Sequence, residues 1–278
     1  MIIDLLKSKL HSKSMVTFLI ALNVSIWLAV TVIRIFLILF NIDFYALLTL
    51  VELPSDPRQF AYTPWTILTY CFIHTGFFHI LFNMLALHWF GHIAEEHFSS
   101  RQILVIYLLG GVAGGALFMT SFNTLPYFVE HFSQTYLLGA SASVLAIVTA
   151  AAYANPSYPL RFLFIGEVKL KWLALIMIIV SFLGVTGTNA GGDIAHLGGA
   201  AFGILYAYIH KFLSHRRNIF TRHAKKHNRP EMADFHFQRG TRDTTEPLNT
   251  EVDDILDKIK RTGYASLTDD EKQRLFRH

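Results

Sequence analysis

The chain carries one cysteine in 278 residues. A disulfide framework within the chain is therefore excluded, as is a zinc site built from several cysteines. Charge is also scarce. Asp, Glu, Lys and Arg make up 16% of the residues, where a soluble domain carries about a quarter. Apolar residues take that place: they form 53% of the chain, with 24 Phe among them, and mean hydropathy is +0.39. They come in blocks of roughly 18–25 residues, the length a helix needs to cross a ~30 Å hydrocarbon layer. An ordinary soluble enzyme, a disordered chain and a fibre are excluded.

Six spans are predicted, at about Met15–Phe40, Ile67–Ile93, Ile103–Phe122, Leu138–Ala154, Leu173–Val185 and Ile194–Phe212. The fifth is short unless it begins near Val168. The expected fold is all-α, a polytopic six-transmembrane helix bundle with a small helical cytosolic appendage at the C-terminus. Basic residues set its orientation. Lys7, Lys9 and Lys13 precede the first span, and Arg161, Lys169 and Lys171 lie between the fourth and fifth. Lys211–Arg229 holds seven Lys and Arg and no acid. The intervening loops hold Asp43, Glu52, Asp56, Glu130 and Asp193 against the single base Arg58. Both termini are therefore expected in the cytoplasm, which requires an even number of spans. The same asymmetry accounts for the net charge of +4, so no nucleic-acid partner is expected.

Four regions follow. Residues 1–14 form a cytosolic or interfacial N-terminus and 15–212 the membrane domain; 213–247 are a basic, then polar, linker, and 248–278 a short helical appendage. No cleavable signal peptide is expected, because Met1–Lys13 is too polar and the first apolar block too long. In the appendage Val252, Ile255, Leu256 and Ile259 recur at helical spacing, and Gly263 stops the run. Ser266 with Asp269, or Thr268 with Glu271, would cap a second short helix.

Polar groups inside hydrocarbon are costly, so each needs a reason. The second span holds His74, His79 and Asn83. His79 and Asn83 are four apart and share a helical face, whereas His74 is expected to point elsewhere. The fourth span opens Leu138-Gly139-Ala140-Ser141-Ala142, and the sixth opens Gly191-Gly192-Asp193-Ile194-Ala195-His196. Both run inward, so Ser141 and His196 lie at similar depth. Small residues let helices approach closely. Ala142, Ala146 and Ala150 recur below Ser141, and Gly199 and Gly203 continue the series from Ala195. An imidazole could thus reach a hydroxyl, the first requirement for activating serine as a nucleophile. Asn83, His79 and the Ser141 backbone N–H are candidate donors to an oxyanion. Asp193, three residues before His196, reads as interfacial.

These residues resemble the rhomboid family of intramembrane serine proteases, bacterial six-transmembrane type. His79-Ile-Leu-Phe-Asn83 looks like that family's HxxxN second helix, Gly139-Ala-Ser141 like its GxS nucleophile motif, and Ala195-His196-x-x-Gly199-x-x-x-Gly203 like its AHxxGxxxG sixth helix. The likeness runs over roughly Met15–Phe212, with the motifs in order. It implies a Ser–His dyad without an acid: Ser141 as nucleophile, His196 as general base, His79 and Asn83 in the oxyanion hole. It implies no cofactor and no metal. Substrates would be transmembrane segments of other membrane proteins, entering from the lipid bilayer near the fifth span. Thr186–Asp193 would act as a lid. The location implied is a bacterial cytoplasmic membrane, with the site opening outward. Two positions depart from the family pattern: Ala142 where Gly often follows the nucleophile, and Thr66 where Arg often follows Trp65. Glu95, at the inner end of the second span, reads as structural.

Rival readings remain. A catalytically inactive rhomboid-like protein would bind or escort membrane helices, although such relatives usually lose the serine or the histidine. His88 and His92, with Glu95, Glu96 and His97, offer a possible metal-ligand set. Cys71 sits among apolar residues with no base and does not read as a nucleophile. Oligomeric state is not legible.

Overall fold

The computed structural model describes residues 14–131, 134–162, 166–227 and 250–275. It divides into two units, Met1–Ala224 and Lys225–His278. Residues 1–13, and 228–247 of the linker, lie outside the described residues.

The first unit begins with α1 (Met15–Leu39), whose N-cap Ser14 accepts from the Thr17 N–H. Its N-terminal end is tied down by Glu95, which accepts from Ser14 Oγ at 3.0 Å and from the Val16 N–H at 3.1 Å. The structural reading of Glu95 rests on these two bonds. A short helix α2 (Phe44–Leu48) follows, and Arg34 of α1 stands 5.7 Å over its Phe44 ring. Strand β1 (Leu53–Pro54), α3 (Pro57–Tyr62) and α4 (Thr66–Thr69) complete the first loop. Trp65 anchors it by donating to Leu50 O at 2.7 Å.

The predicted second span begins ten residues too early. After α4 the chain makes a 3₁₀ turn at Tyr70–Phe72, and α5 starts only at Phe77, behind the extended N-cap Gly76. The apolar run continues through the break, so hydropathy alone cannot see it. Next come α5 (Phe77–Glu95), α6 (Ser100–Thr124) and α7 (Pro126–His131). Strand β2 (Tyr136–Leu137) precedes α8 (Ser141–Ala154). A hairpin of β3 (Pro159–Phe162) and β4 (Gly166–Lys169) leads to α9 (Leu170–Gly184), and then to α10 (Ala190–His227). The two antiparallel ribbons, β1 with β2 and β3 with β4, are the departures from an all-α fold among the described residues. Strands two residues long carry no alternation to read.

Among the described residues three helices, α1, α5 and α6, are long and apolar enough to cross a membrane; α8 and α9 are apolar but shorter. Their outward faces carry large apolar groups, with Phe36 58% and Leu183 73% exposed. In water such faces would aggregate. In lipid they are at home.

The interior is fastened by small residues and buried polar bonds. α6 presents Gly110, Gly111, Gly114 and Gly115 to its neighbours; a methyl on Gly114 would meet Ala142 Cβ at 2.7 Å and Ala195 O at 2.6 Å. A methyl on Gly199 would overlap the Ala142 carbonyl, and one on Gly203 the Ala146 carbonyl. α8 and α10 therefore touch backbone to backbone, with Thr149 Oγ1 donating across to Ala200 O at 3.1 Å. Asn23 donates to Tyr107 OH at 3.0 Å, which donates to Cys71 O at 3.1 Å, and Tyr70 OH donates to Gly111 O at 2.6 Å. Cys71 is buried in this structural cluster.

In the second unit, α11 (Thr250–Thr262) ends at Gly263, whose φ is +81°. α12 (Asp269–Leu275) starts with the Thr268–Glu271 box. Glu271 Oε2 accepts from the Thr268 N–H at 2.8 Å, and the Glu271 N–H returns to Thr268 Oγ1 at 3.4 Å. Ser266, the alternative cap, instead donates to Gly263 O at 2.7 Å. Lys258 Nζ lies 2.8 Å from Glu271 Oε1, and this bond holds the carboxyl low, at about 2. Ile255 and Leu267 are the buried apolar contacts.

Candidate active site

Ser141 is the first residue of α8, so its backbone N–H has no partner within the helix. The turn before it is unusual. Gly139 has φ +113°, a conformation that side chains resist, and its N–H donates to Tyr70 O at 2.9 Å. A Cβ at Gly139 would lie 2.6 Å from His79 Cε1 and Nε2. Glycine is thus required twice, by φ and by the ring above it. The Ala140 N–H donates to His74 Nε2 at 3.2 Å. Two residues upstream, Leu137 pairs with Leu53 of β1. The turn before Ser141 therefore hangs from the first loop on one side and from the Tyr70–His74 segment on the other.

His74 corrects the helical-wheel expectation. It precedes α5 instead of lying on it, so helical spacing from His79 does not set its direction. Its ring is 1% exposed and meets His79 edge-on, with centroids 5.0 Å apart. His79 and Asn83 do share a face of α5: both line one cavity, and Asn83 Nδ2 donates to His79 O at 2.9 Å. That bond uses one amide hydrogen and leaves the second.

The cavity measures about 510 Å³ and brings together Ser141, His196, His79, Asn83, Ser181 and Asp193. Phe78, Phe82, Met177 and Val180 supply apolar walls. Ser141 and His196 thus come from α8 and α10 to one space. Among the described residues no hydrogen bond joins Ser141 Oγ to His196 Nε2; the bond on His196 is at the other ring nitrogen, Nδ1 to Ser181 Oγ at 3.1 Å. In ligand-free sites such catalytic bonds are often open and tighten with substrate. Asp193 Oδ1 lies 3.7 Å from the same Nδ1, beyond hydrogen-bond reach, and Asp193 also lines the cavity. Ser181 was not singled out from sequence. The signal was present, as the one hydroxyl in the apolar run of α9.

A second cavity of about 260 Å³ shares His79 and is bordered by Tyr136, Leu137 and Thr188–Gly192. The predicted lid segment therefore lines the space beside His79. A third, about 840 Å³, shares Phe82, Ala86 and Met177 with the first and runs between α5 and α9 to His88, His92 and Arg161. His88 and His92 meet edge-on, with centroids 4.7 Å apart. Among the described residues no three His, Cys, Asp or Glu side chains form a metal-holding group.

Ala142 fits because Gly114 faces it: the extra methyl fills the gap that a glycine on α6 leaves.

The fold and this cavity define an integral membrane protein built as a helical bundle, with a polar site among apolar helices. The rhomboid domain matches residues 62–211, and the chain belongs to the rhomboid family. A family of unknown function, DUF6576, matches residues 248–278. The chain is 32% identical over 157 residues to RHOMBOID-like protein 12, mitochondrial, of Arabidopsis thaliana, covering 52% of this chain and 46% of that one. It is 30% identical over 139 residues to Rhomboid protease GluP of Bacillus subtilis (strain 168), covering 50% of this chain and 25% of that one. It is also 33% identical over 82 residues to Inactive RHOMBOID-like protein 8 of Arabidopsis thaliana, covering 30% and 23%. The matched segments span less than half of each of these relatives.

Proposed function

We propose that the protein is an intramembrane serine endopeptidase that cleaves transmembrane segments of other membrane proteins. The observation that carries this is the shared cavity of Ser141, His196, His79 and Asn83. In the reaction, His196 Nε2 takes the Ser141 hydroxyl proton as Oγ attacks the scissile carbonyl carbon. The carbonyl oxygen becomes an oxyanion between the Asn83 amide, His79 and the Ser141 N–H. The N-terminal end of α8 adds its positive partial charge there. The C–N bond then breaks, and His196 returns its proton to the leaving amine. Water repeats the sequence on the acyl-enzyme and frees Ser141.

The proposal includes six spans with both termini on the cytoplasmic side; it is supported by α1, α5 and α6, which among the described residues are long and apolar enough to cross a membrane. The groove between α5 and α9 offers a path from lipid to the cavity. The inactive alternative, binding without cleavage, is kept in view by the inactive relative, although both the serine and the histidine stand in this chain.

The test is labelling of detergent-solubilised protein with a fluorophosphonate, beside Ser141→Ala and His196→Ala. Labelling lost in both variants, with cleavage of a transmembrane reporter lost in parallel, is the expected result. Cleavage that persists in Ser141→Ala would sink the proposal.

A further inference from the structure

α9 is held to the bundle unevenly. Its buried residues are Leu170 and Ala174 in the inner half and Ser181 alone in the outer half. Around Ser181, Val180, Phe182 and Leu183 are 61–73% exposed. This outer half meets α10 at Ser181 Oγ to His196 Nδ1, and at Gly184 against Asp193, where a methyl on Gly184 would meet the Asp193 Cγ at 2.7 Å. The same helix borders both the site cavity and the groove running inward from it. The inference rests on the protease reading given above.

We infer that Ser181 is a positioning residue for His196, and that it makes the base's alignment depend on α9 resting against α10. An Nδ1–H donating to Ser181 Oγ leaves the Nε2 lone pair for the Ser141 proton; the other tautomer has no such lone pair. When α9 swings out to admit a membrane helix, Ser181 leaves and the ring loses its anchor. The base is then aligned only after α9 returns, so water is not activated while the cavity stands open. Of the groups facing His196, Asp193 lies on its own helix and is too distant to replace the bond, while His79 faces it across the cavity from α5.

Kinetics and imidazole NMR of the full chain in proteoliposomes test this, with Ser141→Ala run beside them. Ser181→Ala should lower kcat by about three- to tenfold, the weight of one ordinary hydrogen bond, with KM unchanged. Ser181→Thr should restore the rate. Nitrogen-15 NMR of the imidazoles should show the Nδ1–H tautomer of His196 giving way to a mixture in Ser181→Ala, a readout that needs no activity. Gly184→Val, which pushes the outer end of α9 away, should lower kcat similarly. The pair Ser181→Ala with Gly184→Val should be no slower than either alone, because both break one contact. Rates that multiply would overturn the tie to α9. An unchanged kcat and tautomer in Ser181→Ala would overturn the positioning role. If Ser141→Ala itself still cleaves, the protease reading fails instead, and the tautomer result stands as structure only.

Discussion

Replacing Gly139 by alanine tests the nucleophile turn most severely. The new Cβ would stand 2.6 Å from two atoms of the His79 ring. Carbon atoms rest at about 3.5–4.0 Å, so the ring or the turn must yield by roughly 1 Å. Backbone strain adds to this, since φ at Gly139 is +113° and side-chain-bearing residues pay about 1–3 kcal/mol in such regions. Neither the ring nor the turn yields freely. The turn is bonded to Tyr70 O and His74 Nε2, and the His79 ring abuts His74. A shift of about 1 Å in a catalytic group can cost about 10²-fold in rate. Gly139→Ala should therefore lose about two orders of magnitude in kcat/KM and unfold more easily by at least the ~1–3 kcal/mol that the strain alone sets. The assay is reporter cleavage in proteoliposomes beside thermal unfolding. Gly166 supplies the control: its φ is +82°, but nothing lies within 4 Å of its missing Cβ. Gly166→Ala should carry the strain without the rate loss. If Gly139→Ala cleaves as fast as Gly166→Ala, the contact between the turn and His79 does not matter to catalysis.

Other substitutions have defined outcomes. Asn83→Ala removes one oxyanion donor and should slow cleavage by about 10²–10³-fold without unfolding the bundle; an unchanged rate would take Asn83 out of the site. His74→Ala leaves the buried Ala140 N–H without an acceptor and should destabilise the fold by about 1–3 kcal/mol, seen in chemical denaturation. Glu52, 6% exposed in the first loop, has its carboxyl raised by burial from 4.5 to about 7. Between these values the folded chain keeps a proton that the unfolded chain has released, so stability falls as pH rises from 4.5 to 7 and is level above. The loss is at most about 3 kcal/mol. Glu52→Gln should flatten that slope in melts between pH 4 and 8, and a slope kept by the variant would assign it to other groups.

Much of the site was legible because membrane chemistry makes polar residues conspicuous. Ser141, His196, His79 and Asn83 stand out in apolar runs, and they do line one cavity. The glycine and alanine stripes announced close helix contacts, and Gly199 and Gly203 lie against the α8 backbone. What escaped were features that depend on where a helix begins. Hydropathy does not mark Gly76 as a start, so His74 was placed on a helix and aimed away from His79, when it supports the Ala140 N–H instead. The ribbon of Leu53 with Leu137 joins residues 84 apart, a distance no local pattern spans. Ser181 escaped for another reason: one serine in a span usually bonds to its own helix, and only the fold shows it bonded to His196.

The packing divides the site into a fixed part and a yielding part. α6, α8 and α10 meet through glycine and alanine, with backbone against backbone, so a single methyl at Gly114, Gly199 or Gly203 has nowhere to go. Close-packed contacts of this kind are stiff. They set the separation of the helices that carry Ser141 and His196. α9 is different: its outer half rests on a serine and a glycine and turns large apolar side chains outward. In lipid those side chains gain nothing by packing inward, because the surrounding tails are as apolar as the bundle. Little free energy therefore opposes an outward motion of α9, while the distance between α8 and α10 is unaffected by it. On the proposed protease reading, a membrane helix would be admitted without loosening the helices that carry Ser141 and His196, and what is left to respond is the orientation of the His196 imidazole.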